Sequence, residues 1–148
     1  MDDEAVGDTP EARMAVFRRL VDLYARADVD ALDDLVAADY VGYTAAGPRD
    51  RAEFRQSILN FHQLFDYAPD AFTIEDQFVD GDRVATRMTA HVRDRRTRQP
   101  MSMMGINLAV IRGGKILREW NTWEILAAPG QGGDGAAQSG RASCRERV

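Results

Sequence analysis

Residues 113–124 read GGKILREWNTWE. The glycine pair suits the backbone of a tight hairpin turn, and the residues after it have the two-residue period of a strand. In such a strand Glu119, Asn121 and Trp123 share one face, and Trp120, Thr122 and Glu124 share the other. The strand is read either as the wall of a catalytic pocket or as only a well-packed strand.

The period of two extends upstream. Met101–Arg112 reads as the strand paired through that turn, after a polar, arginine-rich connection over Asp94–Pro100. Arg83–Arg93 and Phe72–Val79 read as two further strands joined by the hairpin turn Asp80-Gly81-Asp82. Before them the period is helical. Thr9-Pro10-Glu11 is a helix start, with a capping hydroxyl, proline in the first turn and an early acid. Met14, Phe17, Leu20, Val21 and Tyr24 then recur at spacings of three and four. A short second helix fits Val29–Ala38, with Leu32, Leu35 and Val36 inward. Asp39–Thr44 reads as a short strand, broken by Ala45-Ala46-Gly47-Pro48. Asp50 and Glu53 form a capping-box pattern for a third helix to about Leu64, with Phe54, Ile58, Phe61 and, at its end, Phe65 inward. Helices first and an antiparallel meander afterwards define an α+β domain, expected over residues 9–127.

Composition narrows the function classes. The 148 residues are 45% hydrophobic, which suits one core and one domain. No apolar run is long enough to span a bilayer. The start, MDDEAVGDTPEA, lacks the basic and apolar regions of a secretory signal, so the expected location is cytoplasmic. A formal net charge of −5 argues against a nucleic-acid partner. Cys144 is the one cysteine, and His62 and His91 are the only histidines, so neither a disulfide nor a metal centre is expected. Residues 128–148 are rich in Gly, Ala, Gln and Ser without periodicity and read as a disordered tail. The final GRASCRERV resembles the conceptual translation of a sequencing-library adapter, so those residues are expected to be foreign to the protein.

The element order, together with Asp80-Gly81-Asp82-Arg83-Val84, Gly105-Ile106-Asn107, Gly114-Lys115-Ile116 and Glu119-Trp120, resembles the SnoaL-like polyketide cyclases of the nuclear transport factor 2-like superfamily. Phe61-His62-Gln63-Leu64-Phe65 is similar to that family's helix end. The resemblance covers about Glu11 to Leu126. It implies a strongly curved antiparallel sheet wrapped around three N-terminal helices, a cone with an internal, mostly apolar pocket. It also implies a homodimer through the outer face of the sheet, and an outward Trp120 would suit such a partner.

The resemblance also places candidate site residues. It turns the faces bearing Arg87, Thr89 and His91, then Met103 and Asn107, then Glu119, Asn121 and Trp123 into the pocket. In the family's ring-closing cyclases a histidine matches Asn107 and an aspartate matches Asn121. Asparagine hydrogen-bonds a carbonyl but is no base near neutral pH. The ketosteroid isomerases place their acids and tyrosine near Thr44, Asn107 and Leu20. The Asp–Arg–Asp trio of limonene epoxide hydrolases keeps only Arg87 here, with Thr89 and Asn121 at the aspartate positions.

Two candidate bases follow, His91 by its intrinsic pKa and Glu119 if buried. Arg87 either pairs with Glu119 or presents its fork to a substrate oxygen. Tyr24 and Tyr43 either line the mouth or pack as ordinary aromatics, and Met103 supplies a soft lining. The leading reading is a cofactor-free enzyme doing proton-transfer chemistry (aldol cyclisation, isomerisation or dehydration) on a small hydrophobic oxygenated molecule. A non-catalytic small-molecule binder and a dimeric accessory module are the alternatives.

Overall fold

The computed structural model describes residues 7–126. The tail over residues 128–148, Cys144 and the last position of the expected domain all lie outside the described residues.

Helix α1, Pro10–Arg26, begins where Thr9 caps it: the Thr9 Oγ1 accepts from the Ala12 amide at 3.1 Å. Its inner face buries Val16, Phe17, Leu20 and Leu23, with Met14, Val21 and Tyr24 packed at the margin. A 3-10 turn, Val29–Ala31, leads into the single-turn helix α2, Leu32–Leu35. The β-branched Val36 then starts strand β1, Val36–Thr44, earlier than the helical reading to Ala38 expected. The glycine–proline break holds a short strand of its own, β2, Gly47–Arg49, folded back on the end of β1. Helix α3, Arg51–Leu64, carries the full capping box: the Glu53 amide donates to Asp50 Oδ1 at 2.8 Å, and the Asp50 amide donates to Glu53 Oε1 at 3.0 Å. It buries Phe54 and Ile58.

Strand β3, Phe65–Asp80, begins well before Phe72. The sequence hides this because Pro69 interrupts the pattern. The strand lies at the sheet edge, where proline need not donate to a neighbour, and the pairing shifts register between Tyr67 and Phe72. Strands β4, Arg83–Asp94, β5, Pro100–Arg112, and β6, Lys115–Ile125, complete a sheet ordered β2-β1-β6-β5-β4-β3. All neighbours are antiparallel except β1 and β6, which run parallel. The Gly113–Gly114 turn between β5 and β6 holds both residues at positive φ, 59° and 74°, where a side chain would be strained.

The sheet curves, unclosed, around the three helices. The core lies between them and includes Phe17, Leu20, Leu32, Phe54, Ile58, Val84, Met88, Ala109, Ile111 and Ile116. On the opposite face of the sheet Tyr43 stacks on Trp120, with ring centroids 5.3 Å apart and planes 12° from parallel. Among the described residues no helix is long and apolar enough to cross a membrane.

Candidate functional site

The middle of the sheet holds one unusual row. Arg49 on β2 is paired with Gly42 on β1, Gly42 with Glu119 on β6, and Glu119 with Ala109 on β5. Strands are about 4.8 Å apart, so Arg49 and Glu119 stand two strand spacings from each other. They meet because Gly42 puts no side chain between them. Arg49 Nη2 donates to Glu119 Oε1 at 2.9 Å. Tyr40, two residues before Gly42 and on the same face, reaches over the glycine and donates its hydroxyl to the same oxygen. Arg49 Nε donates to the Tyr40 hydroxyl oxygen at 3.3 Å. A Cβ on residue 42 would fall 2.1 Å from the Tyr40 hydroxyl oxygen and 3.1 Å from Arg49 Nε.

Glu119 is only 1% exposed. A buried carboxylate needs a counter-charge and hydrogen-bond donors, and this one has both. Its other oxygen, Oε2, accepts from Asn107 Nδ2 at 2.8 Å. A carboxylate can only accept, so the Asn107 amide must present its NH2 group to it. Asn107 Oδ1 is thereby left buried without a partner, at a cost of about 1–3 kcal/mol. The aromatic face of Phe54 supports the guanidinium from behind, 4.0 Å from its carbon, and Tyr40 stacks on the same ring.

These charges fix the protonation pattern. Burial, and then the Glu119 charge, push the Tyr40 phenol far above its ordinary value, so it remains a donor. Burial would lower the Arg49 value, but attraction to Tyr40 and Glu119 outweighs it and the net shift is upward. Burial also raises the phenols of Tyr24 and Tyr67, the latter to about 12.

The cluster forms the floor of a cavity of about 470 Å³. Phe17, Leu20 and Val21 of α1, Phe61 of α3, Phe72 of β3 and Met88 of β4 make its apolar walls. The β1–β2 turn, Ala45–Pro48, forms part of the lining beside Arg49. Of the residues singled out from sequence, Asn107, Glu119, Asn121, Trp123 and Tyr24 line this cavity. Asn107 and Asn121 stand directly opposite each other in the β5–β6 ladder. Trp123 lies flat against Gly105, where an added Cβ would be 2.7 Å from the indole.

Arg87, Thr89, His91, Met103 and Tyr43 are not in that lining. On β4 Val84, Thr86, Met88, Ala90 and Val92 are buried, the opposite phase to the one expected; of the expected phase only Thr89 is buried, and it lies outside the cavity lining. Arg87 is exposed and binds Asp76 on the edge strand, with Nη2 to Oδ2 at 2.6 Å. Thr89 donates to Glu75 at 2.8 Å. His91 is exposed, with Nδ1 2.9 Å from Ser102 Oγ. The pairing considered between Arg87 and Glu119 is therefore replaced by Arg49–Glu119. Met103 lies further along β5, half-buried, and Tyr43 belongs to the outer stack on Trp120. His62 Nε2 donates to the Tyr24 carbonyl at 2.6 Å and its ring stacks on Tyr67, a packing role.

Arg49 is the member of this cluster that the sequence does not single out, and Tyr40 falls unremarked within the expected strand Asp39–Thr44. Gly42 was the available signal, since a glycine inside a strand marks a close approach by another group. Among the described residues no group of three or more His, Cys, Asp or Glu side chains is set to hold a metal ion.

Three helices, a curved six-stranded sheet and a pocket between them define an α+β cone with its polar groups at the floor. The SnoaL-like domain model matches residues 17–119, and the chain belongs to that family. No curated protein matches the sequence. Among solved structures, IdmH from Streptomyces antibioticus is 24% identical, with a TM-score of 0.66 over 76% of this chain and 91% of that one. A SnoaL-like polyketide cyclase from Agrobacterium tumefaciens is 15% identical, with a TM-score of 0.64 over 76% and 91%. An LEH-like epoxide hydrolase from M. tuberculosis is 12% identical, with a TM-score of 0.65 over 78% and 84%. At these identities the likeness is one of fold.

Two outcomes are expected from this geometry. Gly42→Ala should lower unfolding free energy in urea by about 1–3 kcal/mol, and adding Tyr40→Phe should recover part of the loss by removing the clashing oxygen. Stability should also fall at alkaline pH. A phenol whose folded pKa is raised favours folding fully below its unfolded value near 10.0, and that contribution is lost as pH climbs through the folded value, about 12 for Tyr67. Melting temperature should therefore drop between about pH 10 and 12, and less steeply in Tyr40→Phe.

Proposed function

We propose that this chain is a cofactor-free pocket enzyme that moves a proton at a carbon beside a carbonyl group of a small, largely apolar molecule. Glu119 is the proton acceptor. The observation that carries this reading is an ionisable carboxylate fixed by three donors at the floor of a cavity whose walls are mostly apolar. His91, the other candidate base, is exposed outside the cavity lining.

The chemistry needs a base for a C–H proton and a donor for the oxygen that gains charge. Three hydrogen bonds occupy three of the roughly four acceptor positions on the carboxylate. The remaining one, on Oε2, receives the proton. The C–H bonding pair becomes the new C=C bond, and the carbonyl π pair moves onto oxygen to give an enolate. Asn121, on the floor beside Glu119, offers its amide to the reacting molecule. Attack of the enolate carbon on a second carbonyl, with return of the proton to the new alkoxide, would be an aldol closure. Return of the proton at a different carbon would be an isomerisation.

A binding protein without turnover is the second reading. It is favoured by the asparagines at both positions where the family's cyclases carry acid–base groups, and by the 2% exposure of the Glu119 side chain.

The test is deuterium uptake. The full chain is incubated in D2O with 2-acetonaphthone, and loss of the α-methyl proton signal is followed by NMR. The enzyme reading expects exchange at least about a hundredfold above buffer, returning to background in Glu119→Gln. A ligand that binds with exchange at the buffer rate would overturn it in favour of the binder.

A further inference from the structure

The enolate oxygen still needs its principal partner, and the inference here rests on the pocket reading above. We infer that Arg49 is the residue that grips the ligand oxygen, and that it selects a neutral carbonyl over a carboxylate. The two members of the buried pair are unequal: the Arg49 side chain is 17% exposed and the Glu119 side chain 2%. Both line the cavity, so what the floor offers most openly to a ligand is the cation's N–H groups.

Donors remain for that purpose. A guanidinium has five N–H bonds. Arg49 uses Nε on Tyr40 at 3.3 Å, Nη2 on Glu119 at 2.9 Å and Nη1 on Ser57 Oγ at 3.4 Å, which leaves one hydrogen on each terminal nitrogen. The fork is held in place by those contacts and by the Phe54 face, so little ordering is required when a ligand arrives.

Charge sets the preference. The cavity lining contains one cation, Arg49, and two carboxylates, Glu53 and Glu119, so it is net negative before any ligand enters. A ligand carboxylate would compete with Glu119 for the same guanidinium and be repelled by both acids. A ketone oxygen accepts the free N–H bonds without adding charge in the ground state. As an enolate forms, the proton gained by Glu119 releases Arg49 to the developing oxyanion, and the charge on the floor is conserved.

The test is a matched set of probes on the full chain: 2-acetonaphthone, 2-ethylnaphthalene and 2-naphthoate, with affinities by calorimetry. The ketone should bind at least about tenfold more tightly than either of the others. Arg49→Lys, which keeps the charge but loses the fork, should reduce that margin to less than about threefold. Because Arg49→Lys could weaken the fold, its melting temperature is measured alongside, and a folded Arg49→Lys or Arg49→Gln variant that keeps the full margin overturns Arg49 as the gripping residue. Equal binding of ketone and hydrocarbon overturns it, as does preference for the naphthoate. Either result leaves the Glu119-dependent deuterium exchange standing. Failure of all three probes to bind overturns both this inference and the pocket reading.

Discussion

A carboxylate shut away from water governs this structure. Glu119 sits on the central strand β6 with 1% of its surface exposed, and a charge in that position is tolerable only with a cation and donors in contact. Each of the groups that meet it constrains a different element. Arg49 requires the short strand β2 to fold back beside β1. Tyr40 requires β1 to lie parallel to β6. Gly42 must be glycine for both to pass over it. Asn107 must turn its amide inward and leave its own oxygen unpaired. The same three contacts that make the carboxylate bearable also make the floor of the cavity polar while its walls stay apolar. Site and fold are thus two consequences of one buried charge.

Much of the architecture was legible in the sequence because the local signals agree with one another. Thr9-Pro10 and the Asp50–Glu53 box set two helix starts, and both caps form as their residues suggest. The glycine turns set the β3–β4 and β5–β6 hairpins. Where the reading slipped, tertiary context prevailed over local pattern. Pro69 concealed nearly half of β3, the part before Phe72, since an edge strand tolerates a proline that a central one would not. Gly47-Pro48 read as a simple break, although three residues sufficed for a strand paired to β1.

The site was less legible, and β4 shows why. Its even-numbered positions, Val84, Met88, Ala90 and Val92, are apolar, while Arg83, Arg87, His91 and Arg93 occupy odd ones. The alternation itself points the even set toward the core, as the structure has it. The resemblance to a family arginine drew Arg87 inward against that evidence. On β6 alternation offered less help, because polar and aromatic residues stand on both faces. Arg49 was hidden for another reason: its partner is 70 residues away and two strands across, a relation that exists only once the parallel β1–β6 pairing is known.

The central claim is that Arg49 and Glu119 are mutually dependent, each costly without the other. A double-mutant cycle on unfolding free energy, with Arg49→Met, Glu119→Leu and both together, tests it most directly. The account predicts that each single change costs about 3–5 kcal/mol by stranding a buried charge, and that the double variant is more stable than either single one. Additive losses, with the double variant the least stable of the three, would contradict it.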